Sequence, residues 1–315
     1  MLQLLQYGFS YYDDSPVIYN ILFIVCVTFY QVNIKKILDN ADGKQARKTN
    51  NSSTLGLLFD HGADCINTGL SFITYCQIIG VRGLFLFNTL TMLMVVFWAV
   101  TFEEYYFGSL DFPIINVVNE GTFSMCLILI PGIFYGNHIY RIPFLLGFNF
   151  VEIMYYSLSL VGVIVIIIPN LIKCSHKKDW KSVKSDSRLL KITFIVLLII
   201  PNISSNTFFL LKPKLYQYLI TFSLSKIIIS LMICHIMDSP IYNKQLPIFY
   251  LIIALLLTFI FDITKLADDI TVFGLYFCIV TAFTVYFSLY CVGVVRLIAK
   301  NLNIHIFKLK KNNVE

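Results

Sequence analysis

No CxxC pair occurs in the 315 residues, although the chain has eight cysteines, most of them inside apolar stretches. That absence argues against a disulfide framework or a zinc site. It leaves the cysteines as small hydrophobes within helices. Charge is also scarce: 13% of the residues are Asp, Glu, Lys or Arg, against about 25% in soluble domains. No repeat of basic and aromatic residues suggests a nucleic-acid module, so the net charge of +6 needs no nucleic acid. The N-terminus lacks a basic n-region and a cleavage site, which argues against a cleavable signal peptide.

What is there is apolar. Hydrophobic residues make up 57% of the chain, and the mean hydropathy is +0.76. A helix of about 20 apolar residues spans a bilayer. Nine such runs are predicted, at 18–38, 57–80, 82–101, 122–137, 144–172, 190–212, 215–235, 246–262 and 271–298. They are continuous rather than alternating, which favours helix over barrel. The expected fold is an all-α, polytopic helical integral membrane protein, with residues 1–315 as a single membrane domain.

Basic residues set the orientation. The connection at 39–64 carries or adjoins Lys35, Lys36, Lys44, Arg47 and Lys48. With it in the cytosol, the count brings the basic break from Lys173 to Lys191 and the C-terminal lysines to the same side. The connection at 101–121 and the "CHIMDSP" stretch, 234–240, join them. Polar groups thus gather at one membrane face.

One stretch at that face is chemically distinctive. "DNADGKQARKTNNSSTLGLLFDHGAD" contains four aspartates, Asp39, Asp42, Asp60 and Asp64. On helices, each pair presents its carboxylates on one face. Gathered carboxylates repel, and divalent cations remove the conflict; Mg²⁺ prefers such oxygens together with substrate phosphates. Gly43, Ala46 and Gly56 are small enough for close approach to backbone. Arg47 offers a planar fork for phosphate. A solvated acidic loop is the other reading of the same residues. Its difficulty is the apolar run that follows Asp64 directly.

The pattern D-x2-D-G-x2-A-R-x8-G-x3-D-x3-D is fulfilled at all its fixed positions, Asp39, Asp42, Gly43, Ala46, Arg47, Gly56, Asp60 and Asp64. It resembles the signature of the CDP-alcohol phosphotransferase family. The wording "DGKQARKTNNSSTLGLLFDHGADCINT" resembles the choline/ethanolamine phosphotransferase branch, whose members have about ten membrane helices. The resemblance implies two divalent ions, Mg²⁺ or Mn²⁺, on Asp39, Asp42 and Asp60, with Asp64 as general base and possible further metal ligand. It implies CDP binding by Gly43, Ala46, Arg47 and Gly56. The implied partners are CDP-choline or CDP-ethanolamine, diacylglycerol, membrane lipid and a second copy of the chain as a homodimer. The implied location is the endoplasmic reticulum, with the site facing the cytosol. Branch members also carry an N-terminal amphipathic stretch and a further helix, for both of which "MLQLLQYGFSYYDDSPVIYN" is short.

Weaker candidates share the face. Glu104 and Glu120 are expected in the 101–121 connection, as headgroup contacts, proton-transfer aids or solvated carboxylates. Tyr105 and Tyr106 are read either as a cage for a quaternary ammonium or as interfacial tyrosines. His235 ends a span, and His61 sits between two motif aspartates. Asp262, Asp268 and Asp269 fall on the opposite side. Rival functions are a CDP-diacylglycerol-dependent phosphatidyltransferase, an ion-coupled transporter and an inactive homologue. A transporter predicts acids spread through several spans, whereas these cluster at one interface.

Overall fold

The computed structural model describes residues 54–81, 83–108, 127–132, 134–177, 213–241 and 269–301, together with Lys48, Val183, Asp186, Arg188, Ile253, Leu256, Leu257 and Ile260. Among these residues no strand is formed; one isolated bridge, Leu145 to Phe148, closes a turn. Among the described residues the long α-helices are α1 (Thr54–Ile78), α2 (Gly83–Phe107), α3 (Phe150–Val161), α4 (Ile168–Lys177), α5 (Pro213–Ile236) and α6 (Asp269–Asn301). A π-helical turn, Gly162–Ile167, joins α3 to α4 without a break. The segments Phe85–Phe107, Phe150–Lys177, Gln217–Ile236 and Gly274–Asn301 are long and apolar enough to cross a membrane. This is the architecture of an integral membrane protein. The expected spans at 18–38 and 190–212, and most of 246–262, lie outside the described residues.

The core forms where α1, α2 and α5 pack together. Small residues make this possible, since close backbone approach is what holds helices together in lipid. A Cβ on Gly69 of α1 would come within 2.5 Å of Thr221 Cγ2 on α5. One and two turns nearer the start of α1, Cys65 Sγ donates to Ser225 Oγ at 3.4 Å and Gly62 faces Ile229. The contacts descend α1 as they ascend α5, so the two helices are antiparallel.

The run from α3 to α4 lies against α2 and leaves most of its surface facing outward. Gly162 admits Val96, which a Cβ there would approach to 2.9 Å. Asn170 Nδ2 donates to the Ala99 carbonyl at 3.3 Å. The run starts later than the predicted 144: a 3₁₀ helix, Asn137–Arg141, and a turn at 144–148 precede it. Asn149 then caps α3, accepting from the Glu152 N–H at 3.0 Å while Glu152 Oε2 accepts from the Asn149 N–H at 2.9 Å. Beside that turn, Tyr140 Oη donates to the Ile128 carbonyl at 2.7 Å and accepts from the Gly132 N–H at 3.0 Å. Burial pushes the Tyr140 phenol up, so it stays a neutral donor.

Candidate functional site at one end of the bundle

α1 begins at Thr54 and carries the second half of the aspartate motif. Gly56, Asp60 and Asp64 follow one another at four-residue intervals and therefore share one stripe of the helix. Gly56 and Asp60 are exposed and Asp64 is half-buried. The packing face of the same helix, with Leu58, Gly62, Cys65 and Gly69, is buried. The motif thus has one side for packing and another for ligands. Asp39, Asp42, Gly43, Ala46 and Arg47 lie outside the described residues, as do Glu120, Asp262 and Asp268.

The connection expected at 101–121 begins later than the hydropathy implies. Residues up to Phe107 are helical and complete α2. Glu104 is therefore no solvated loop carboxylate; it is 6% exposed. Its Oε2 lies 3.4 Å from His61 Nδ1 of α1. Glu103, equally buried, pairs with Lys173 of α4. The ammonium groups of Lys173 and Lys177 sit 4.9 and 4.8 Å from the centre of the Phe107 ring.

The two tyrosines are engaged within the protein. Tyr106 Oη donates to Asp186 Oδ2 at 2.5 Å, and its ring packs against Phe102. Tyr105 Oη donates to the Ser239 carbonyl at 3.0 Å, and its ring meets that of His235 with centroids 6.5 Å apart. Their own rings meet edge-on at 83°. Both hydroxyls are bonded within the protein. His235 is half-buried in the last turn of α5. His61, Glu104, Tyr105, Tyr106 and His235 are thus brought to the same end of the bundle as Asp60 and Asp64. Asp269 opens α6.

Lys226, 7% exposed in the middle of α5, was not legible as a candidate. Its ammonium lies 4.7 Å from the centre of the Tyr290 ring of α6, and Tyr290 Oη is 3.0 Å from Ser230 Oγ. A charged residue inside an apolar helix was the available signal. The contacts join α5 to α6.

Comparison with known proteins decides the family. The profile described as CDP-alcohol phosphatidyltransferase matches residues 16–139. The chain is 30% identical over 294 residues to cholinephosphotransferase 1 of Xenopus laevis, covering 87% of this chain and 69% of that protein. The chain belongs to the CDP-alcohol phosphatidyltransferase family. Other family relatives differ in reach. An uncharacterized class-I family protein 3 of Dictyostelium discoideum is 38% identical over 111 residues, 35% of this chain and 27% of that protein. Ethanolaminephosphotransferase 1 of Homo sapiens is 25% identical over 299 residues, 88% of this chain and 71% of that protein.

Proposed function

We propose that the chain transfers phosphocholine or phosphoethanolamine from a CDP-alcohol to diacylglycerol, releasing CMP. The observation that carries this reading is the complete aspartate signature at 39–64, its second half presented as one stripe of α1. Relatives named as cholinephosphotransferase and ethanolaminephosphotransferase, aligned over most of the chain, support the donor class.

The donor set fits a divalent metal. Asp60 and Asp64 supply carboxylate oxygens one helical turn apart at the edge of an apolar bundle, the hard ligands that Mg²⁺ and Mn²⁺ prefer. Asp39 and Asp42 complete the set in this reading. Two such ions would neutralise the diphosphate and the charge developing on the departing phosphate. The remaining work falls to the chain. Arg47 forks onto a phosphate, and Gly43, Ala46 and Gly56 let the nucleotide approach the backbone. Asp64, unprotonated, takes the proton of the diacylglycerol hydroxyl as its oxygen bonds to the β-phosphorus. The bond from that phosphorus to the CMP oxygen breaks, and CMP leaves with the bonding electrons. In this reading lipid enters from the side of the bundle and nucleotide from water. The site faces the cytosol in the endoplasmic reticulum membrane.

Headgroup transfer tests this directly. The chain is expressed in membranes lacking such activity and offered labelled CDP-choline or CDP-ethanolamine, diacylglycerol and Mg²⁺ or Mn²⁺. Labelled phospholipid is expected, abolished by EDTA and by Asp64→Asn. No product from either donor, with product from CDP-diacylglycerol and an alcohol acceptor, would move the chain to the phosphatidyltransferase reading.

A further inference from the structure

The last two turns of α2 hold four successive residues, each bound to a different part of the chain. Glu103 pairs with Lys173 of α4. Glu104 meets His61 of α1. Tyr105 donates to the Ser239 carbonyl just beyond α5, and Tyr106 donates to Asp186. An α-helix turns about 100° per residue, so four consecutive side chains leave on different sides. One helix end therefore reaches several neighbours at once.

Two adjacent carboxylates, 8% and 6% exposed, are costly at the edge of an apolar bundle unless each is paired. The pairing here is divided. Glu103 takes Lys173, which leaves Glu104 facing His61. That histidine stands on α1 between Asp60 and Asp64, on the side turned toward α2 rather than on the aspartate stripe. A contact at His61 constrains the rotation and height of the helical turn that carries both aspartates. Carboxylate ligands need such support from groups behind them, because a metal is held only if its oxygens are held. Glu104 is itself fixed from both sides, through Glu103 to Lys173 and through Tyr106 to Asp186.

We propose that Glu104 is a positioning residue which, through His61, sets the Asp60–Asp64 turn of α1 for divalent-cation binding. This rests on the reading of those aspartates as metal ligands. Neither Glu104 nor His61 need touch the metal or the lipid.

The test is Mn²⁺ binding, followed by electron paramagnetic resonance on the purified full chain in lipid nanodiscs. Glu104→Ala is expected to weaken Mn²⁺ binding by about 10- to 100-fold, the usual effect of losing a group that orients a metal ligand. Glu104→Gln retains an oxygen that accepts from the imidazole and is expected to restore most of the affinity. His61→Ala is expected to match Glu104→Ala, and the double variant to be no worse than either alone. If Glu104→Ala does not fold, His61→Ala and Glu104→Gln carry the comparison: the first must weaken Mn²⁺ binding and the second must largely preserve it. Unchanged affinity in Glu104→Ala or His61→Ala, or additive losses in the double variant, overturns the proposal. A wild type that binds Mn²⁺ but transfers no headgroup defeats the functional reading and leaves this one standing. One that transfers headgroup with affinity indifferent to Glu104 defeats only this one. A wild type without Mn²⁺ binding overturns both.

Discussion

Gly69 shows how much a single hydrogen atom in place of a methyl can matter. A Cβ there would lie 2.5 Å from Thr221 Cγ2 and 3.4 Å from Met94 Sδ. Met94 can bend away, but the branched Thr221 side chain presents both Cγ2 and Oγ1, the latter at 3.2 Å, so the whole residue must shift. Gly69→Ala is therefore expected to destabilise the bundle by about 1–3 kcal/mol through overpacking, despite Ala's better helix propensity. Thermal unfolding in detergent reads this out, and an unchanged melting temperature would mean that α1 and α5 separate at Gly69 without cost. Tyr106→Phe removes the 2.5 Å bond to Asp186 and nothing of the ring packing. A hydrogen bond to a charged group contributes about 1.5–3 kcal/mol, so a loss near the lower bound is expected by the same measurement. At this scale the stripe of Gly56, Asp60 and Asp64 was legible in the sequence because four-residue spacing has one meaning on a helix. The burial of Glu104 was not. Nothing local to 101–107 reveals it, because its partners and its neighbours' partners, His61, Lys173, Asp186 and Ser239, come from distant parts of the chain.

Among elements, the end of α2 and the end of α4 depend on each other. Hydropathy falls after 101, so a span read from apolar residues alone stops there. The helix runs on to Phe107 because its polar side chains find partners rather than water. α4 likewise continues through Lys173 to Lys177, residues that the sequence reading assigned to a polar break. Lys173→Met is expected to destabilise more than Glu103→Gln, since it strands a buried carboxylate rather than removing one. Breaking a fully buried pair costs about 3–5 kcal/mol. The Lys173 side chain is 42% exposed, so solvent screens the pair and the expected loss is about 1–2 kcal/mol. If Glu103→Gln proves the more damaging, the pair is held by geometry at the glutamate rather than by charge.

At the scale of the whole molecule, the direction of each helix can be read from its end contacts. Thr54, Phe107, Lys177 and Ile236 terminate their helices at the end that carries the Glu103–Tyr106 contacts. The opposite end is marked by Arg141, whose guanidinium donates to the Gly80 carbonyl at 3.5 Å, and by the capped start of α3 at Phe150. The alternation inferred from basic residues agrees with these pairings wherever the described residues reach. Between His176 and Phe150 the chain is continuous helix, about 1.5 Å per residue, long enough to separate its ends across a bilayer. Single substitutions His176→Cys and Arg141→Cys place a thiol at exposed positions on the two ends. In sealed microsomes with the cytosolic face outward, a membrane-impermeant maleimide is expected to modify the first without permeabilisation and the second only after it. Mass spectrometry of the labelled peptides separates these thiols from the native cysteines. Modification of both from one side would place the run from α3 to α4 along the membrane surface. The aspartate stripe of α1 would then no longer be separated from Arg141 by the bilayer.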